Sequence, residues 1–239
     1  MTYKHNPKTK GSGIYGCIPQ KGLCPMQCKD CFFQSGRSYL EPLEEHLPNV
    51  PNMVDMAGRV VRVNDGHDSS TLTDAQIDDL NKVYQHVFFN TSSPHGLERY
   101  KAPVVLTLNP GEMTDKSFHK LDPIPQNLMF VRFRANAWNK WLLREAVEYY
   151  TWRKVPVVIT YMAYFFDSEK VEAAKETHYL FQKRTLNAYW VIPEYKRHEI
   201  EEAFEDNALV YTCGYKGTHQ CARCGNCLRE YFATMERLR

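Results

Sequence analysis

Between Cys31 and Cys213 the sequence has no cysteine at all. A disulfide framework spreads its cysteines through a short secreted domain, so this gap argues against one. Charge of one sign is not in excess either: 30 lysines and arginines face 28 acids, a formal net charge of +2. That balance supplies no global field for nucleic acid or anionic lipid. The opening Met-Thr-Tyr-Lys-His-Asn-Pro lacks the apolar stretch of a signal peptide. The longest apolar runs, such as Val155 to Phe166, are too short to span a bilayer. Neither a repeat nor a low-complexity tract is present. The expectation is a cytoplasmic protein with no membrane partner.

What is present is enough to fold. Of the 239 residues, 43% are hydrophobic and 24% charged, which suits one ordinary domain with a small appendage. Short β-branched or aromatic runs predict strands at Ser12–Cys17, Arg59–Asp65, Pro103–Asn109, Leu128–Ala135, Val155–Met162 and Asn187–Ile192. Between them lie helical spacings. Ile77, Leu80, Tyr84, Val87 and Phe88 share one face, and Thr73 with Gln76 reads as a capping box. Trp138, Leu142, Ala146, Tyr149 and Tyr150 mark a second helix. A third is expected from Asp167 or Ser168 to about Lys183, and a fourth around Ile200, Ala203 and Phe204. Met113 to Leu121 is a shorter, weaker case, and the prolines of Arg37–Gly58 make that segment partly irregular.

Six strands with intervening helices imply repeated βα units and a parallel sheet. Six units fall short of a closed (β/α)₈ barrel, and an open doubly wound sheet also fits the pattern. The rhythm stops near Leu209. The expected organisation is a βα domain over residues 1–208 and a cysteine-rich metal-binding extension over 209–239.

Seven of the eight cysteines fall in two tight groups. The first, Cys24-Pro-Met-Gln-Cys28-Lys-Asp-Cys31, follows the first predicted strand. Three thiolates on one loop can hold three irons of a four-iron cluster and leave one iron open. A zinc site is the alternative, with Cys17 as the fourth ligand it would need. This motif in this location resembles the radical S-adenosylmethionine superfamily. The likeness extends over about Gly11 to Ile192, where six βα units match that superfamily's partial (β/α)₆ barrel. The resemblance implies a [4Fe-4S] cluster on Cys24, Cys28 and Cys31, whose open iron is chelated by S-adenosylmethionine. It further implies a one-electron reductant such as flavodoxin or ferredoxin. Reductive cleavage then yields a 5′-deoxyadenosyl radical that removes hydrogen from a substrate the sequence does not identify. Members of the superfamily carry an aromatic residue before the third cysteine, whereas this chain has Asp30; Phe32 and Phe33 follow and are the substitutes for adenine contact.

Chemistry in parallel barrels collects at the C-terminal strand ends. After the second predicted strand, Asn64, Asp65, Gly66 and Asp68 stand where the superfamily receives the cofactor's amino group. An Asx-rich turn closing a βα loop is the plainer explanation. His67 is either a site residue or a polar loop residue. Period two puts Arg132, Arg134 and Asn136 on one side of Leu128–Ala135, and charged groups facing a barrel need an anion, such as the cofactor carboxylate. Thr107, Asn109, Thr160, Met162 and Tyr164 are expected to line the pocket. Cys17 and Tyr164 are candidates for hydrogen-atom chemistry, although a small buried hydrophobe is the commoner fate of a lone cysteine.

The second group, Cys213, Cys221, Cys224 and Cys227, offers four thiolates, enough to close a metal site. Its C-x₂-C-x₂-C core resembles ferredoxin-type segments, so a second iron–sulfur centre is expected; zinc, with His219 as a further ligand, is the alternative. From Cys213 onward five cationic residues outnumber Glu230 and Glu236, with Tyr215, Tyr231 and Phe232 interleaved. A zinc-dependent nucleic-acid-binding protein is therefore the competing class, and a two-cluster electron carrier a third. Within the enzyme class, a protein-radical activase and a peptide- or nucleic-acid-modifying enzyme fit equally.

Overall fold

The computed structural model describes residues 2–28, 31, 33, 39–109, 117–165, 177–182, 189–213 and 220–239. Its frame is a seven-stranded, all-parallel sheet curled into a half-barrel. The strands are β1 (Ile14–Cys17), β2 (Val60–Val63), β3 (Val87–Thr91), β4 (Val104–Leu108), β5 (Leu128–Ala135), β6 (Val157–Tyr161) and, much later in the chain, β10 (Val210–Thr212). They lie in the order β1-β2-β3-β4-β5-β6-β10. A small antiparallel sheet of β7 (Ala163–Phe165), β8 (Leu180–Gln182) and β9 (Tyr189–Val191) stands apart, ordered β7-β9-β8.

The helices are α1 (Leu43–His46), α2 (Asp74–Val83), α3 (Lys140–Trp152), α4 (Glu194–Glu202), α5 (Cys221–Cys224) and α6 (Asn226–Arg237). The expected capping box opens α2: Thr73 Oγ1 accepts from the Gln76 amide at 3.3 Å, and Gln76 Oε1 accepts from the Thr73 amide at 2.9 Å. None of the described helices is long and apolar enough to cross a membrane.

Alternation along the strands sorts the sheet into two faces. Val61, Val63, Phe89, Leu106, Val131, Phe133, Val157 and Ile159 face the helices and pack with Ile77, Leu80, Leu142, Ala146 and Tyr150. The opposite, inner face carries Val60, Phe88, Val105, Phe130 and Val158, and Tyr231 of α6 packs among them, with Tyr211, Cys227, Leu228 and Met235 against the same cluster.

Five expectations change. Val87 and Phe88, read as the end of a helical face, begin the central strand β3, whose five residues are all buried. Tyr84, Val87 and Phe88 fall at helical spacing by coincidence, because a strand buried on both faces shows no alternation. Asn187–Ile192 does supply a strand, but Tyr189–Val191 belongs to the small antiparallel sheet. Val210–Thr212 pairs with Val157–Ile159, so the boundary expected at residue 209 falls where the main sheet gains its last strand. Leu180–Gln182 is a strand rather than the end of the third expected helix, whose span 167–176 lies outside the described residues. Residues 117–121 are not helical, and 113–116 lie outside.

Candidate functional site

The two cysteine groups meet the same inner face. Thr107 and Leu108 stand beside Arg132 and Phe133, which brings Asn109 level with Arg134. Arg134 stands beside Thr160, and Thr212 beside Ile159 brings Cys213 level with Thr160. One lateral row therefore reads Asn109, Arg134, Thr160, Cys213 across four strands. Three inter-strand steps make it about 14 Å long. At one end Asn109 Nδ2 lies 4.0 Å from Cys28 Sγ. At the other end is the first cysteine of the second group.

The first group hangs on the loop after β1. Cys24 is buried, and its sulfur receives backbone hydrogen bonds from Met26 and Asp68. Cys28 interacts with Ser92, with Cys31 and with the charge of Arg134. Burial pushes both thiols up, and at Cys24 the two backbone hydrogen bonds pull the other way. Cys31 packs with Phe33 on Ile18, Leu40, Leu43 and Leu47. Phe33, not an aromatic before the cysteine, covers Gly66: a β-carbon at Gly66 would fall inside its ring. Asp30 and Phe32 lie outside the described residues.

The loop after β2 is built differently from its expected role. Asp68 Oδ1 accepts from the Ser70 amide at 2.8 Å and Thr91 Oγ1 at 2.7 Å. Its Oδ2 accepts from the amide and the hydroxyl of Ser92, both at 2.6 Å. All four contacts are internal, so Asp68 ties the loop to the end of β3. Asp65 turns inward: its Oδ2 accepts from Asn6 Nδ2 at 2.7 Å and from Arg62 Nη2 at 3.0 Å. Gly16 makes the room, since a β-carbon there would lie 2.6 Å from that oxygen. Three buried atoms of this loop have no partner among the described residues: Asn64 Oδ1, Asp65 Oδ1 and His67 Nδ1. His67 Nε2 lies 2.9 Å from the Gly22 carbonyl, so Nε2 carries a proton, and in the neutral ring Nδ1 is an acceptor. With His67 neutral, all three orphans are acceptors.

On β5, Arg132 and Arg134 share the inner face as period two predicts. Arg132 Nη1 donates to Asn90 Oδ1 and Thr107 Oγ1, both at 3.3 Å. Arg134 Nη1 donates to Asn109 Oδ1 at 3.2 Å. Asn136 takes another role: its Oδ1 accepts from the Trp138 and Asn139 amides at 2.9 Å, shaping the entry to α3. Its Nδ2 donates to Tyr164 at 3.1 Å, and Tyr164 is fully buried with Met162, Tyr179 and Ile192. Cys17 faces the helices. It is fully buried and hydrogen-bonded to Tyr84, whose own proton goes to the Pro51 carbonyl at 2.7 Å.

In the second group, Cys213 is exposed and hydrogen-bonded to Cys224, a bond that holds its thiol well above the usual range. Burial raises Cys227 too, against the opposing charges of Arg132 and Arg62. Arg62 also feels Cys221. The four cysteines and two inner-face arginines thus occupy one neighbourhood. Residues 214–219, including His219, lie outside the described set. Among the described residues, no group of three or more His, Cys, Asp or Glu side chains is already arranged to hold a metal ion. The chemistry of the donor sets still fits one: soft sulfur ligands clustered beside amide donors and guanidinium charge.

Sequence reasoning missed Arg62, Asn6 and Ser92. Arg62 was detectable as the lone charge in Val60–Val63, whereas Asn6 and Ser92 carry no local signal. Two concavities of about 270 and 490 Å³ flank α4, lined by Phe204, Glu202 and Glu205. Neither is lined by a cysteine, so the chemistry is assigned to the inner face. No protein-family model matches the chain, no curated protein matches it, and no solved structure matches it.

Proposed function

We propose that this chain is a radical S-adenosylmethionine enzyme acting on an unidentified substrate. One observation carries the reading: the sulfurs of Cys24 and Cys28 are met by hydrogen-bond donors, on a loop at the C-terminal end of a half-barrel strand. Neutral buried thiols need no such donors, whereas thiolates bound to a metal do. Cys24, Cys28 and Cys31 would hold a [4Fe-4S] cluster, which when bound would supply one electron for reductive cleavage of S-adenosylmethionine to methionine and a 5′-deoxyadenosyl radical.

The chain's own residues divide the cofactor between them. The orphan acceptors Asn64 Oδ1, Asp65 Oδ1 and His67 Nδ1 suit its ammonium group. Arg134, on the row next to Cys28, suits its carboxylate. Asp68 is withdrawn from direct contact and holds the loop instead. Cys213, Cys221, Cys224 and Cys227 form a second centre, iron–sulfur in this reading and zinc in the alternative. The zinc-dependent nucleic-acid reading has less support, because two cations of the tail are used internally. Arg229 pairs with Glu230 at 3.0 Å, and Arg237 donates to the Leu128 carbonyl at 2.9 Å.

The test is anaerobic: reconstitution with iron and sulfide, then dithionite and S-adenosylmethionine, with 5′-deoxyadenosine quantified. The expected product disappears when Cys24, Cys28 and Cys31 are all replaced by alanine. Stable zinc in both groups with no 5′-deoxyadenosine overturns the enzyme reading.

A further inference from the structure

We propose that Asn109 is a positioning residue that sets the reduction potential of the first centre through a hydrogen bond to Cys28. The inference rests on the radical-enzyme reading and adds a role for a residue outside the cysteine loop. Its basis is the chain Arg134, Asn109, Cys28. Arg134 Nη1 donates to Asn109 Oδ1 at 3.2 Å, and Asn109 Nδ2 faces Cys28 Sγ at 4.0 Å.

The guanidinium decides which way the amide points. It has only donors, so it claims the Asn109 oxygen and leaves both N–H groups for the sulfur side. A flipped amide would set N–H against guanidinium and carbonyl oxygen against sulfur, two repulsive contacts at once. The rigid strand supports the arrangement, since Asn109 directly follows β4 and Arg134 lies within β5. Ser92 also reaches Cys28, but its one hydroxyl proton is already given to Asp68 Oδ2 at 2.6 Å. Among the described residues, Asn109 is the side-chain donor whose proton has no competing acceptor.

The consequence follows from charge. Adding an electron to a cluster puts more negative charge on its sulfurs, and an N–H donor stabilises that state. The 4.0 Å separation is long for the neutral thiol and shortens when the sulfur becomes an anionic ligand. Asn109 therefore makes the first centre easier to reduce.

The experiment is a redox titration of the reconstituted full-length protein, followed by electron paramagnetic resonance on the signal that S-adenosylmethionine perturbs. Asn109→Leu keeps the shape and removes the donors; Asn109→Gln keeps an amide and partly restores the value. Asn109→Leu is expected to shift the reduction equilibrium by about tenfold toward the oxidised state, which is about 59 mV for one electron. Iron and sulfide content equal to the parent protein confirms loading. Equal loading with an unchanged potential overturns the role of Asn109 and leaves the radical-enzyme reading standing. Absence of any cluster signal in the parent protein overturns both. If Asn109→Leu loads poorly, the smaller Asn109→Ala, which also removes the donors and adds no charge, decides: it titrates lower than the parent if the inference holds, and titrates unchanged if it fails.

Discussion

Ser92 meets Asp68 twice, giving both its amide and its hydroxyl to the same carboxylate oxygen at 2.6 Å. The other oxygen holds Ser70 and Thr91. This one side chain fastens the loop after β2 to the end of β3, directly beneath Cys24 and Cys28.

Asp68→Ala should therefore be among the more damaging single changes outside the apolar core. Hydrogen bonds to a charged acceptor contribute about 1.5–3 kcal/mol each and are not additive. We expect a loss of at least about 3 kcal/mol, read from urea unfolding, with Asp68→Asn between the two. A midpoint equal to that of the parent chain would show that the loop does not depend on this carboxylate.

Cys17 makes the stability depend on alkaline pH. Burial first, then the nearby Asp65 charge, raise its thiol from 9.0 to about 12. In the unfolded chain the proton leaves near pH 9, while in the folded chain it stays until about pH 12. The unfolded state thus binds fewer protons across that window, and stability must fall as pH rises through it. Below pH 9 the contribution is fully present. Tyr100, raised from 10.0 to about 12 by burial, acts in the same direction. Urea midpoints at pH 8 and pH 10 should separate, and less so in Cys17→Ala. Equal slopes in both proteins would remove Cys17 as a cause.

A chain cut at residue 208 should not behave as an independent domain. It loses β10, which leaves the β6 edge unpaired, and it loses Tyr231, which covers Phe88 and Phe130. Truncating one buried aromatic alone costs about 3–5 kcal/mol. The expected result is an aggregating or non-cooperative product by circular dichroism and size-exclusion chromatography. A soluble fragment with a sharp melt would establish residue 209 as a domain boundary.

Legibility in the sequence followed how local each signal was. Leu128–Ala135 could be read to the residue because two arginines punctuate its apolar alternation. The Thr73–Gln76 cap was equally plain, being confined to four positions. β3 was not legible, because five buried residues in a row erase the period that distinguishes strand from helix. Val210–Thr212 was too short, and only its register with β6 reveals it. At the site, the cysteine spacing and the two β5 arginines were readable, but not their convergence. Asp68 was read as a cofactor acceptor, and nothing in its own loop shows that Ser92, from another strand end, donates to it.

The placement of α6 also has a consequence for the order in which the chain can fold. Synthesis runs from the first residue to the last, and a parallel sheet with distant pairings forms slowly. The helix-facing core can assemble from early segments. The inner face cannot, since Val60, Phe88, Val105, Phe130 and Val158 stay uncovered until Tyr231 has been made. A nascent chain therefore carries an open apolar trough from the time Val158 is made until α6 follows. The helix that finally seals the trough also carries Cys227, with Cys221 and Cys224 in α5 just before it, so closure of the core and arrival of the second cysteine group coincide.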